Sequence, residues 1–132
     1  MTLRRCPCGT GLPYAECCGR LHDNFATGTG TAATAEQLMR SRYSAFAVGR
    51  TDYLLATWHP ATRPATLELD DDVRWTRLDV LATTAGSLLA AEGTVEFRAH
   101  YVRDGRAGTQ HENSRFVRED GQWRYLDGVA LH

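Results

Sequence analysis

The chain has 132 residues, of which 42 % are apolar and 23 % are charged, so it can bury one hydrophobic core. Its net charge of −1 excludes attraction to nucleic acid or to an anionic membrane by bulk electrostatics, and the lack of lysine excludes Schiff-base chemistry. No apolar stretch is long enough to cross a membrane, and the segment before Cys6 lacks the apolar core of a signal peptide, which predicts a cytoplasmic protein.

The distribution of cysteine is informative, because all four lie in CPCGTGLPYAECCG, residues 6–19. Disulfides here would close strained local loops, and thiols stay reduced in the cytoplasm, although a disulfide or a redox thiol pair is the alternative. Zn²⁺ prefers four soft ligands in a tetrahedron, and the spacing C-x-C-x8-C-C supplies that number. We interpret Cys6, Cys8, Cys17 and Cys18 as a structural zinc site.

The same segment resembles the SEC-C motif, a zinc-binding element found at the C-terminus of the SecA translocation ATPase and in other bacterial proteins. The matching residues besides the cysteines are Pro7, Gly9, Gly11, Tyr14 and Gly19. The resemblance implies that the four cysteines are the zinc ligands. It does not extend to partner binding, because the lysines around the tyrosine, which would suit an acidic protein or RNA, are replaced. The residues present instead are Leu12, Pro13, Ala15 and Glu16.

The motif is predicted to occupy residues 1–22, and residues 23–33, DNFATGTGTAA, are predicted to be a linker because they show no apolar period. His22 lies close enough to be considered as a metal ligand. Four cysteines already complete a tetrahedral site, so His22 is expected to be a loop residue.

Two helices are expected after the linker. Thr34 and Gln37 have the spacing of a capping box, apolar residues then recur on one side, and Gly49 is suited to end the helix. Residues 52–59 predict a second, short helix that Pro60 stops.

The apolar period changes to two from Val73 onward, which predicts strands. Two hairpins with two-residue loops are indicated by the dipeptides Asp104-Gly105 and Asp120-Gly121. Between them a strand is expected over residues 107–118. A slip of the pattern near Thr76 indicates a β-bulge in the first strand.

Helices followed by an antiparallel meander predict an α+β fold in which the helices cover one face of the sheet. Three segments, residues 38–46, 52–60 and 112–128, resemble the YchJ-like family of bacterial proteins, which has no assigned reaction. They read LMRSRYSAF, DYLLATWHP and ENSRFVREDGQWRYLDG. The resemblance implies that residues 34–132 adopt a nuclear transport factor 2-like cone with strongly bent strands.

The two short turns fix which residues should pair on the concave face of the sheet. The expected pairs are Phe97 with Glu112, Val95 with Ser114, Phe116 with Tyr125, and Ser114 with Asp127. Glu112 would then point inward, and a buried carboxylate needs a partner, for which Arg42 and His59 are the candidates. A longer turn would instead direct His111 and Arg115 inward.

Two interpretations of this inner cluster compete. It is either a ligand pocket in the mouth of the cone, or a buried ion pair with an aromatic core that fixes the register. The residues expected to line the pocket are Arg42, Tyr43, Trp58, His59, Trp75, Phe97, Glu112 and Tyr125, with Asp127 as a further polar group. His100 and His111 are expected on the opposite face, and the acidic residues 70–72 in a solvated loop.

The favoured function is a binding or adaptor module without enzymatic activity, in which a zinc site and a cone bind an unknown protein partner or a small molecule. The alternative is a small acid/base enzyme that uses His59 with Glu112 or Asp127. Regulation by redox release of zinc is a third hypothesis. Nucleic acid and membranes are not expected partners, and the oligomeric state is open, a dimer included.

Overall fold

The computed structural model describes residues 5–25, 31–85 and 89–131. Within these ranges the chain forms three α-helices and an antiparallel sheet of four strands in the order β1-β2-β3-β4. The elements are α1 (Cys18–Phe25), α2 (Ala35–Val48), α3 (Thr51–Ala56), β1 (Val73–Ala85), β2 (Glu92–Arg103), β3 (Arg106–Glu119) and β4 (Gln122–Ala130). The predicted α+β class is confirmed. None of the described helices combines the length and apolar character that a membrane span requires.

Helix α2 has the predicted limits. The Thr34 hydroxyl accepts a hydrogen bond from the Gln37 N–H at 3.1 Å, and Gly49 ends the helix in the left-handed region with φ of 83°. The Gln37 side chain does not bond back to Thr34, as a capping box would require. Its oxygen accepts from the N–H of Ala33 at 2.6 Å, one residue earlier.

Helix α3 ends at Ala56, before the end of the predicted range, and residues 57–59 pair with β4 instead. The Tyr125 N–H donates to the carbonyl of Thr57 at 2.8 Å, and the His59 N–H donates to the carbonyl of Tyr125 at 2.7 Å. This pairing with β4 satisfies backbone groups that a longer helix would have used internally. It also holds Trp58 in a parallel bridge with Tyr125.

Helix α1 was not predicted. It continues the cysteine segment to Phe25, three residues into the predicted linker, while linker residues 26–30 lie outside the described ranges. Leu21 is buried in the main core, and the ring of Phe25 contacts Tyr53 edge-on at 5.6 Å between centroids. We call residues 5–22 the N-terminal module, which α1 joins directly to the core.

The hairpin register agrees with the sequence prediction. Arg103 pairs with Arg106 across Asp104-Gly105, and Glu119 pairs with Gln122 across Asp120-Gly121. All four loop residues have positive φ, the requirement of a type I′ turn. The predicted pairs Phe97 with Glu112, Val95 with Ser114 and Phe116 with Tyr125 are therefore confirmed.

One predicted pair is wrong because β4 contains a bulge. Its register shifts between Arg115 and Phe116, so Leu126 has no opposite residue and Ser114 lies opposite Gly128. Asp127 consequently lies opposite Arg115 on the outer face instead of beside Ser114. In β1 the expected bulge at Thr76 is present, and a second one follows between Val80 and Ala82.

The core lies between α2 and the inner face of the sheet. Leu38 and Tyr43 of α2 belong to one buried cluster with Val95, Phe97 and Phe116 of the two central strands. Alternate residues of β2 are buried, as the period of two predicted. This packing leaves the mouth of the cone open next to the second half of α2.

Candidate metal centre and pocket

The four cysteine side chains converge at the start of the chain, as the sequence predicted. Their sulfurs all lie within 4.8 Å of one another, with 3.6 Å between Cys8 and Cys17 and 4.0 Å between Cys17 and Cys18. In tetrahedral zinc thiolate sites the Zn–S bond is about 2.3 Å, which places neighbouring sulfurs about 3.8 Å apart. All four are free thiols rather than disulfides. The donor set and its spacing fit a four-coordinate, thiophilic metal ion.

The electrostatics of the cluster also favour a cation. The neighbouring thiol of Cys18, followed by that of Cys8, lowers the pKa of Cys6, and the thiol of Cys6 in turn raises the pKa of Cys18. Four like charges this close cannot all form without a counter-ion. A divalent cation bound between the sulfurs would allow the thiolates to form together.

Glycines let the backbone fold around the sulfurs. Gly9 and Gly11 have φ of 89° and 84°, in the left-handed region where other residues are strained. Gly19 is required for a different reason, since a Cβ there would lie 2.6 Å from the carbonyl oxygen of Tyr14 and 2.8 Å from its ring. Tyr14 can therefore pack against the start of α1 only because the residue after Cys18 has no side chain.

Three polar contacts connect the N-terminal module to α2. The sulfur of Cys6 lies 3.4 Å from the hydroxyl of Ser44, and the Arg40 guanidinium donates to the carbonyl of Cys8 at 2.9 Å. His22 donates from Nε2 to the carbonyl of Ser41 at 2.8 Å. The metal centre is thus part of the helical layer.

His22 is neither a ligand nor a loop residue. It is buried in α1, 3 % exposed, and its Nδ1 accepts from the Tyr14 hydroxyl at 2.5 Å while Nε2 bonds to Ser41. Burial lowers the pKa of His22, which favours the neutral ring that this pair of bonds requires. The prediction of a loop was wrong because α1 was not recognised.

A cavity of about 230 Å³ lies in the mouth of the cone between α2, Trp58 and the inner face of the sheet. Every residue predicted to line a pocket lines it except His59 and Asp127. The pocket prediction missed five lining residues, which are Met39, Phe46, Ala99, Gln110 and Ser114. Gln110 and Ser114 share the inner face of β3 with Glu112 at a spacing of two, so the alternation that identified Glu112 could have found them.

Arg42 supplies a buried cation to this cavity and is 4 % exposed. Its Nη1 donates to the carbonyl of Leu54 at 2.8 Å and to the hydroxyl of Thr57 at 2.7 Å, which ties α2 to α3. The guanidinium lies over the rings of Tyr125, at 4.7 Å from the centroid, and Trp58, at 5.2 Å. Burial lowers the pKa of Arg42 to about 10, so the side chain is still charged at neutral pH.

Glu112 supplies the opposite charge. Its Oε2 accepts a hydrogen bond from the Ser114 hydroxyl at 2.7 Å. The carboxylate occupies the space above Gly128, where a Cβ would lie 2.5 Å from the carboxylate carbon. The missing side chain of Gly128 therefore makes room for Glu112. The predicted ion pair with Arg42 or His59 is not formed, because Arg42 bonds to α3 and His59 bonds to Glu119.

Two residues that line the cavity carry a buried donor that has no partner among the described residues. The donors are the hydroxyl of Tyr43, a residue 2 % exposed, and the indole N–H of Trp58. Burial raises the pKa of Tyr43 to about 12, so its hydroxyl keeps its proton. Buried polar groups are rarely left without a hydrogen bond.

The other titratable candidates lie away from the cavity. His59 hydrogen-bonds to the carboxylate of Glu119 at 3.0 Å. Asp127 forms a bidentate ion pair with Arg115 on the outer face of the sheet. Neither lines the cavity, so the structure does not bring His59 or Asp127 together with Glu112.

The two sheet histidines lie on the outer face, as predicted. Each faces a carboxylate, His100 with Asp79 at 2.8 Å and His111 with Glu96 at 2.7 Å. In the loop before β1, Asp70 accepts a bond from the N–H of Asp72 at 2.9 Å and pairs with Arg103. These side chains stabilise the surface of the sheet.

Comparison with known proteins identifies both parts of this architecture. The profile described as "YchJ, middle NTF2-like domain" matches residues 34–128, and the SEC-C motif profile matches residues 5–20. The UPF0225 protein SCO1677 of Streptomyces coelicolor is 55 % identical over 126 residues, which cover 96 % of this chain and 95 % of that protein. A UPF0225 protein of Chromobacterium violaceum is 53 % identical over 128 residues, covering 95 % and 92 %.

Two solved structures are similar over almost the whole chain. The solution structure of a SEC-C motif protein from Rhodopseudomonas palustris superposes with a TM-score of 0.79 at 33 % identity, covering 98 % of this chain and 100 % of that one. The crystal structure of a SEC-C motif protein from Psychrobacter arcticus gives 0.78 at 30 % identity, covering 98 % and 84 %.

Proposed function

Because the chain belongs to the YchJ-like family of proteins with a SEC-C motif, we propose that it is a cytoplasmic binding module with a structural zinc site and a small-molecule pocket. The zinc site connects the N-terminal module to α2, and the pocket in the mouth of the cone receives the ligand. The protein is proposed to bind its ligand without transforming it.

The proposal that the metal is zinc rests on the donors. Four thiolates in a tetrahedron suit Zn²⁺, which has no redox chemistry of its own and serves as a cross-link in closed sites of this kind. Cys6, Cys8, Cys17 and Cys18 would supply all four ligands, leaving no open position for a substrate. The metal would thus stabilise the fold rather than take part in a reaction.

The pocket proposal rests on a cavity of about 230 Å³ whose wall combines aromatic rings with two charged side chains. The rings are those of Tyr43, Trp58, Trp75, Phe97 and Tyr125, and the charges are those of Arg42 and Glu112. Ligand sites are commonly lined in this way, by apolar and aromatic side chains with a few polar groups.

The absence of His59 and Asp127 from the cavity argues for binding over acid/base catalysis. None of the described residues that line the cavity with Glu112 is a histidine with which it could share a proton. Catalysis by a pair of groups requires both within hydrogen-bond reach of the same substrate. We therefore do not carry the enzyme hypothesis further.

The test is nuclear magnetic resonance of the metal-containing protein with a set of small ring compounds. The indole N–H signal of Trp58 should shift on binding, whereas that of Trp123, which donates to the carbonyl of Ala33 at 3.2 Å, should not. Replacing Ala99 in the cavity wall by leucine should abolish the shifts, and Ala107→Leu on an exposed part of β3 is the matched control. A set of compounds that leaves Trp58 unchanged at millimolar concentration would overturn the pocket.

A further inference from the structure

A hydroxyl from outside the N-terminal module reaches the sulfur cluster. We propose that Ser44, on α2, is a positioning residue of the metal site, whose hydroxyl donates a hydrogen bond to the metal-bound thiolate of Cys6. This inference rests on the proposed zinc site and adds a residue that the cysteine motif itself does not contain. It makes the affinity for the metal depend on the position of α2.

The contact between Ser44 and Cys6 is long-range in sequence and buried. The Ser44 oxygen lies 3.4 Å from the sulfur of Cys6, and the two residues are 38 positions apart. Ser44 is 0 % exposed and Cys6 is 5 % exposed. Water is therefore poorly placed to take over this hydrogen bond when the hydroxyl is removed.

The chemistry of the metal-bound state fixes the direction of this hydrogen bond. A free thiol at Cys6 could either donate to Ser44 or accept from it. A thiolate that binds a metal has no proton to give, so it can only accept. The Ser44 hydroxyl is then the donor, and a hydrogen bond to a charged acceptor is stronger than one between neutral groups.

The charge of the site makes such a donor important. Four thiolates around one divalent ion leave two excess negative charges, and Cys6, Cys8 and Cys18 are all buried. Buried charge is costly unless hydrogen bonds or opposite charges compensate it. Helix α2 supplies both, because Arg40, one turn before Ser44 on the same face, donates to the carbonyl of Cys8 at 2.9 Å.

A second hydroxyl, within the N-terminal module, provides a comparison. The Thr10 oxygen lies 3.3 Å from the sulfur of Cys17 and 3.6 Å from that of Cys8. Thr10 is exposed, so a water molecule can replace its hydroxyl. We therefore expect the loss of the Ser44 hydroxyl to weaken metal binding more than the loss of the Thr10 hydroxyl.

The experiment measures the zinc affinity of the whole chain by competition with a coloured chelator. Ser44→Ala should lower the affinity about 10–100-fold, the range expected when a hydrogen bond to a metal ligand is lost. Thr10→Ala should lower it by less than about threefold.

Ser41→Ala is the matched control, because it removes a buried serine hydroxyl from the same helix without touching a sulfur. Ser41 is also 0 % exposed, and its hydroxyl bonds to the carbonyl of Leu38 and to the hydroxyl of Tyr53, each at 2.8 Å. This variant should lose stability in urea and keep the zinc affinity of the parent.

Cobalt gives a second readout, which a loss of stability alone would not change. Co²⁺ can occupy the same four thiolates and shows a sulfur-to-cobalt charge-transfer band. A hydrogen bond lowers the energy of the sulfur electrons, so its removal in Ser44→Ala should move this band to longer wavelength. Ser41→Ala should leave the band in place.

The outcomes separate the role of Ser44 from the metal site itself. A Ser44→Ala variant that keeps the zinc affinity of the parent, or whose cobalt band does not move, would overturn the assignment. Equal loss of affinity in Ser44→Ala and Ser41→Ala would also overturn it, because the cause would then be the stability of α2. A parent chain that binds neither zinc nor cobalt would contradict the proposed function.

Discussion

At the scale of single residues, close approaches explain positions that composition alone does not. Gly19 and Gly128 both have φ in ordinary regions, so neither is needed for backbone freedom. At Gly19 the carbonyl and ring of Tyr14 occupy the place of a side chain, and at Gly128 the Glu112 carboxylate does. Gly19 thus permits the packing of the N-terminal module, and Gly128 permits the position of Glu112 in the cavity wall.

The first prediction concerns Gly19→Ala. The added methyl group meets backbone at 2.6 Å, which cannot move aside as easily as the end of a long side chain, so we expect a loss of about 1–3 kcal/mol. Urea unfolding of the metal-containing protein measures it. The neighbouring exposed substitution Arg20→Ala is the control, and an unchanged stability of Gly19→Ala would show that Tyr14 does not pack as described.

The second prediction compares two tyrosine hydroxyls by stability. Tyr53→Phe should lower the free energy of unfolding by about 1 kcal/mol, because it removes a buried hydrogen bond to Ser41. Tyr43→Phe should cost nothing or stabilise slightly, because the hydroxyl it removes has no partner. An equal loss in both variants would mean that the Tyr43 hydroxyl has a hydrogen-bond partner in solution.

At the scale of elements, Arg42 joins α2 to α3 through one nitrogen. In the third prediction, Arg42→Met removes the donor to Leu54 and Thr57 and leaves both acceptors buried, which should cost about 2–4 kcal/mol. Thermal unfolding of this variant is compared with that of Arg98→Met on the exposed face of β2. Equal melting temperatures would contradict the role of Arg42 as the connection between these helices.

The bulge in β4 gives a prediction for pH. It places Asp127 opposite Arg115, whose guanidinium lowers the pKa of Asp127 from its ordinary value. A lowered pKa in the folded state means that the pair stabilises above the unfolded pKa and that this contribution is lost as pH falls through the folded pKa. Asp127→Asn should therefore be less stable than the parent at pH 7, by under about 1 kcal/mol for so exposed a pair, and equal to it in strong acid.

Urea titrations at a series of pH values measure this difference. Asp71→Asn, in the exposed loop before β1, serves as the control for a carboxylate outside the sheet. A difference between Asp127→Asn and the parent that grows as pH falls would contradict the pairing across the bulge.

The elements also show which features the sequence could predict. Two-residue turns and strict alternation fixed the register of β2 and β3 and hence the inward position of Glu112. The bulge at Leu126 has no local signal in the sequence, and it is the bulge that brings Gly128 instead of Asp127 opposite Ser114. The same holds for the end of α3, where pairing with β4 overrides the helical pattern of residues 57–59.

At the scale of the whole molecule, the N-terminal module packs directly against the cone. Cys6, Cys8 and His22 each contact α2, and the opposite side of that helix lines the cavity with Arg42 and Tyr43. Sequence reasoning identified the cysteines and the pocket residues separately. It could not predict the contacts between them, because these depend on α1 and on the tertiary position of α2.

The central claim is that the four cysteines hold one structural zinc ion on α2, and metal content tests it most directly. Native mass spectrometry of protein purified without chelator is compared for the parent, Cys8→Ser and the control Thr10→Ala beside it. We predict one zinc ion per chain in the parent and in Thr10→Ala, and none in Cys8→Ser. A metal-free parent whose mass lacks the hydrogens lost on disulfide formation would contradict the account.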